Sequence, residues 1–276
     1  MAGRVKDWLD GNAPLLRWLA FEDYARRIFG NDHPGWYREP MRYAAGIGDA
    51  NKVLGSQVVT FDFGAVFAAH AALAGNSEGA DRISAVIADD GVASFCNNAI
   101  AAMAHQLSGK ADLVLQLPSP SALLALLGED PGGIDFDMLD DTNAVLADLL
   151  RGFSELPIAA LVLSFQDKGV DLADEGEACQ VLQSVTRHYD WQFALRLDDS
   201  VLTQGLGDLS ADIWLMPTLA VAELSGQGHT TGGGLNRDFW EGGALPPLGR
   251  VCLYGDVPAD LDPKFIVERV ANLPEL

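Results

Sequence analysis

The stretch ADLVLQLPSPSALLALLG (residues 111–128) holds the pattern that decides the fold. A short apolar run, DLVLQLPSP (112–120), reads as a buried strand stopped by two prolines, and SALLALLG (121–128) opens a short helix with serine at its start. Outward from it the same alternation recurs. QVVTFDF (57–63), β-branched and aromatic, reads as the strand before it, and a helical stretch over about 82–108 lies between them. Downstream, IAALVLSFQD (158–167), QFALRLDD (192–199), ADIWLMP (211–217) and RVCLYGD (250–256) read as strands. The helix MLDDTNAVLADLLRGF (138–153), another over about 175–188 and a closing helix over 262–272 fall between or after them. The glycine-rich GQGHTTGGGLNRDFW (226–240) could hold one more short strand.

Strands alternating with helices imply parallel strands joined by helical crossovers. Six or seven candidate strands approach the eight of a (β/α)8 TIM-type barrel, complete or short of closure, with an open doubly wound sheet as the alternative. No GxGxxG follows the first strand, and polar residues end nearly every strand, where barrel active sites are built. Residues 1–55 read as a helical N-terminal extension packed on a barrel of residues 56–276. Within it, LLRWLAFEDYARRIF (15–29) places Leu16, Leu19, Tyr24 and Phe29 at roughly helical spacing, and a second helix is expected over about 37–54.

Composition bounds the partners. The chain of 276 residues is 49% hydrophobic, enough for a sizeable core without staples. It carries 39 acidic against 18 basic residues. The excess lies in residues 53–276, with 32 acidic and ten basic, while residues 1–52 hold seven and eight. Such a surface disfavours nucleic acid and anionic membrane, both of which need a basic footprint. No run approaches the roughly 20 apolar residues of a membrane span. Three scattered cysteines, Cys96, Cys179 and Cys252, with no leader-like start, suggest free thiols in the cytoplasm. No histidine lies close to any of them, and no zinc site is expected. The basic opening segment, with Arg17, Arg26, Arg27, Arg38 and Arg42 among Trp18, Trp36, Tyr37 and Tyr43, could receive an anionic aromatic ligand, form a lid, or meet the acidic barrel of a second copy in a homodimer.

SQVVTFDFGAVFAAHAAL (56–73), the segment from Cys96 through residue 128, and RVCLYGDVPADLDPKFIVERVANL (250–273) together resemble the uroporphyrinogen decarboxylase superfamily, which includes cobalamin-independent methionine synthase and corrinoid methyltransferases. The chain lacks the arginine-rich N-terminal motif of the decarboxylases. Where the thiol-activating members carry His-x-Cys, it reads Arg196-Leu197-Asp198-Asp199. The resemblance implies a barrel acting on a small organic substrate, with lyase chemistry such as decarboxylation of an aromatic acid. Methyl transfer with folate or a corrinoid is the alternative, and a non-catalytic binding barrel a third.

On that reading Asp62, at a strand end between aromatics, stabilises a developing cation; otherwise it caps the next helix. Arg196 could clamp a substrate carboxylate, with Asp198 or Asp199 orienting it or acting as base, or could form an internal ion pair. Gln166 and Asp167, Ser119 in the proline loop, and Asp256 in the Gly-Asp turn are further substrate-binding candidates. His229, in the glycine-rich segment, is a candidate proton donor.

Overall fold

The computed structural model describes residues 3–166, 168–198, 205–224, 226–227, 229–245 and 249–274. Eight parallel strands close into a barrel in chain order. They are β1 (Leu15–Ala20), β2 (Val58–Asp62), β3 (Asp112–Pro118), β4 (Ile158–Phe165), β5 (Gln192–Leu197), β6 (Ile213–Leu215), β7 (Thr231–Gly234) and β8 (Val251–Asp256). Closure comes from β1 against β8, in register from Leu15 opposite Val251 to Ala20 opposite Asp256. The (β/α)8 expectation holds, and the barrel is complete.

The helices begin with α1 (Arg4–Leu9), α2 (Glu22–Ile28), α3 (Pro40–Leu54) and α4 (Phe63–Ala69). The stretch expected as one helix over about 82–108 is two, α5 (Ala80–Ile87) and α6 (Asp90–Leu107), because the Asp89 carboxylate caps a fresh start by accepting from the Gly91 and Val92 amides. After α7 (Pro120–Leu126) and α8 (Phe136–Arg151), the expected helix over about 175–188 is likewise split, into α9 (Leu172–Ala178) and α10 (Gln180–His188). Two one-turn helices, α11 (Val221–Leu224) and α12 (Arg237–Trp240), flank β7, and α13 (Pro263–Ala271) closes the chain from its Asp262 cap.

One expectation is overturned at the start of the chain. LLRWLA is β1, not the first turns of a helix, so the barrel begins at residue 15 and the boundary placed at residue 55 falls inside it. A strand buried on both faces reads as an unbroken apolar run, and over six residues such a run fits a helical stripe equally well. Arg17, counted in the basic opening segment, is 8% exposed and donates to the Pro274 carbonyl oxygen at 2.6 Å.

Two cores result. Leu16, Trp18, Val58, Val114, Val162, Ala194, Leu215 and Tyr254 fill the barrel interior, and Val5 and Trp8 of α1 plug its N-terminal end. The α1 plug is pinned where the Val5 amide donates to the Asp112 carboxylate at 2.9 Å and where Arg250 lies over the Trp8 ring at 5.1 Å. The larger core lies between the strands and the helical ring. With the lower barrel filled, the space left for a ligand is the C-terminal mouth.

Candidate active site

A cavity of about 980 Å³ opens at the C-terminal ends of the strands. Side chains alternate along each strand, so the last inward position of several strands faces this space. Asp62 of β2, Gln116 of β3, Ser164 of β4 and Arg196 of β5 line it, as does Asp256 at the end of β8. Glu22, at the start of α2, completes the wall on the β1 side.

Asp62 does two things at once. Its Oδ1 accepts from the Gly64 amide at 2.8 Å and the Ala65 amide at 3.4 Å, capping α4, and its Oδ2 accepts from Gln116 Nε2 at 2.9 Å. Gly64 is required there, since a Cβ at that position would stand 2.7 Å from the Pro118 ring. Burial raises the Asp62 pKa, while the two amides, the Arg196 charge and Gln116 pull it back. Among the described residues no cation pairs with it.

Glu22 is the residue that sequence reasoning missed. Both of its carboxyl oxygens are shut off from solvent and lack a hydrogen-bond partner among the described residues. Burial is the largest cause lifting its pKa to about 8, and the Asp62 charge adds to it. The hydroxyls of Tyr37 and Tyr43 face it and hold the value down in part, without completing a well-aligned hydrogen bond. Tyr43 is fixed by its packing against Trp36, Phe61 and Phe95, with ring centroids 5.1 to 5.6 Å away. At neutral pH Glu22 therefore carries a proton beside a second carboxyl. The available signal was positional: a polar residue just past the C-terminal end of a strand, hidden because that strand read as helix.

Across the cavity, Arg196 makes four hydrogen bonds to three side chains. Its two terminal nitrogens meet the two oxygens of Asp256 at 2.8 Å each, Asp198 lies at 3.3 Å and the Tyr254 hydroxyl at 3.1 Å. Burial works against the Arg196 charge, but Tyr254, Asp256 and Asp198 outweigh it and the pKa is raised. The fork expected to clamp a substrate carboxylate is occupied by Asp256, so Asp256 serves here as an internal ion-pair partner.

Five of the expected site residues, Asp62, Gln166, Arg196, Asp198 and Asp256, thus converge on one cavity. Two do not. Ser119 is fully buried at the start of α7, where it neighbours Glu175 behind the cavity wall, because its position is the helix N-cap and not an inward strand position. His229 precedes β7 and so lies at the N-terminal end of the barrel, stacked on Trp214 at 4.7 Å, and it cannot donate a proton in the mouth. Asp167 and Asp199 lie outside the described residues. The basic opening segment is also committed internally: Arg26 pairs with Asp32 at 2.6 Å, Arg27 donates to the Ala259 carbonyl oxygen at 2.6 Å and Arg42 to Glu39 at 2.8 Å.

Among the described residues no group of three or more His, Cys, Asp or Glu side chains is placed to hold a metal ion, and no helix is long and apolar enough to cross a membrane. No family model matches the chain, and no curated protein matches its sequence.

Proposed function

We propose that the mouth cavity is the active site of a lyase-type enzyme that moves a proton at a carbon atom of a small organic substrate, with Glu22 carrying the proton and Asp62 ionised beside it. What supports this reading is one observation: two buried carboxyls that differ in their hydrogen-bond donors share one cavity. Asp62 is held by amide donors that favour its anion, whereas Glu22 is buried without them. Burial raises both, but the donors pull Asp62 back while Glu22 reaches about 8, and such a difference in surroundings is a recurring basis for dividing acid and base roles.

In the decarboxylating direction Glu22 gives its proton to the substrate carbon, and Asp62 stabilises the positive charge that develops. The carbon–carboxylate bond then breaks, its electron pair neutralises the cation, and carbon dioxide leaves. Glu22 regains a proton from water. Gln116 keeps Asp62 oriented throughout. Three buried free thiols fit a reducing compartment such as the cytoplasm.

The test is carbon dioxide release and deuterium incorporation from D₂O, followed by NMR, over a panel of small organic acids with and without basic nitrogen. Wild-type protein turns over a subset, and Glu22→Gln loses about 10²–10⁴-fold of that rate while still binding the substrate. Inertness of the wild type across the panel, or undiminished turnover by the variant, overturns the reading.

A further inference from the structure

The charges that line the mouth do not balance in the way a carboxylate-anchored substrate would need. Each cation there already has partners. Arg196 is filled by Asp256, Asp198 and Tyr254 and Arg26 by Asp32 and, at 3.6 Å, Asp23, while Arg27 gives one hydrogen bond to the Ala259 carbonyl oxygen. The rim carboxylate Asp260 is taken by Arg237 from outside the cavity, through two contacts of 2.8 and 2.9 Å. Among the described residues this leaves two lining carboxyls without a cation, Asp62 and Glu22. They are neighbours, and both Glu22 oxygens are buried facing the Tyr37 and Tyr43 hydroxyls, with no well-aligned hydrogen bond to either.

Buried charges are paired as a rule, and a carboxyl such as Asp62 that lines a cavity with no cation of its own is matched by what enters the cavity. What would complete this wall is a set of N–H donors with positive charge. A carboxylate used as the anchor would meet two carboxyls at the strand ends, and the guanidinium beside them, Arg196, is already held by Asp256 in a bidentate pair, which leaves only the exposed Arg27 of α2. We propose that the site takes a protonated nitrogen base, an amine, amidinium or azolium, seated on Asp62 with Glu22 beside it. This substrate class rests on the reading of the mouth as the active site and sharpens it. The cation supplies the charge that Asp62 lacks, and Glu22 keeps its proton for the carbon.

The experiment uses simple probes in calorimetry and thermal melting: benzylammonium, benzamidinium and imidazolium against benzoate and phenylacetate. Wild-type protein is expected to bind the cations at least about tenfold more tightly than the matched carboxylates. Asp62→Asn, which keeps an oxygen to cap α4 but removes the charge, abolishes that preference, and Glu22→Gln retains it. Should Asp62→Asn fail to fold, the ionic-strength dependence of wild-type binding replaces it, and affinity for the cations falls as salt rises. Carboxylates binding as tightly as cations, equal cation binding by wild type and Asp62→Asn, salt-independent affinity, or no binding by any probe overturns the proposal. The two readings fail separately. Proton exchange that survives Glu22→Gln sinks the acid–base assignment and leaves the binding result standing, whereas lost cation preference with exchange intact sinks only the substrate class.

Discussion

On the β5–β8 side of the mouth, Arg196 meets Asp256, Asp198 and Tyr254, and both of its terminal nitrogens have acceptors. On the β1–β2 side, among the described residues, Glu22 has no well-aligned hydrogen bond to either oxygen and Asp62 pairs with no cation. Both sides are polar and both lie at strand ends, yet one holds itself together and the other stays open. A satisfied network rigidifies the rim, while an unsatisfied buried group costs stability and persists where something else completes it. Polar residues at strand ends are therefore an incomplete guide to a barrel site. What separates scaffold from chemistry is which of those residues already have partners.

The sharpest way to break this contrast is turnover. Glu22→Gln removes the proton but keeps the shape, and should cost about 10²–10⁴-fold in rate, read by carbon dioxide release. Next comes stability against pH. Glu22 has an ordinary pKa of 4.5 and a folded value of about 8, so the native state holds the extra proton between them. The Glu22 contribution to stability is thus full below the lower value and is lost as pH rises through that window, by on the order of 5 kcal/mol. Denaturant midpoints at pH 5 and 8.5 check this, and Glu22→Gln should flatten the slope. An equally steep slope in the variant would place the titration elsewhere.

On the satisfied side the effect is smaller and purely structural. Asp256→Ala takes two hydrogen bonds from a guanidinium whose side chain is 16% exposed, and should cost about 2 kcal/mol in a urea melt. The smallest change is expected at the opposite end of the barrel. His229→Ala loses only an exposed stack on Trp214, should shift stability by less than about 1 kcal/mol, and should leave turnover unchanged. A large loss of turnover there would break the division of the molecule into a reactive mouth and an inert base.

Much of the barrel was legible because its strands are apolar runs flanked by prolines, glycines and acidic caps. β7 was the faintest, since Thr231–Gly234 is threonine followed by glycines with no strand propensity of their own. The glycines are there for space: a Cβ on Gly232 would stand 2.8 Å from Cys252 Sγ, and one on Gly233 would stand 2.8 Å from the Met216 carbonyl oxygen. Such crowding depends on neighbouring strands and leaves no periodic trace. Asp62 and Arg196 could be picked out by position alone, but whether Arg196 was a clamp or an ion pair depended on Asp256, distant in sequence.

The sequence by itself determined the alternation of strand and helix, the parallel architecture, the acidic surface and the placement of Asp62, Gln166, Arg196, Asp198 and Asp256 at strand ends. These follow from local apolar patterning and turn chemistry, which act over a few residues. Only the tertiary structure decided that LLRWLA is a strand, since its identity rests on backbone pairing with β8 at the far end of the chain. It also decided that His229 faces the wrong end and that Glu22 is buried beside Asp62. Burial and electrostatic coupling arise between residues brought together by closure of the barrel, and no stretch of the chain carries them alone.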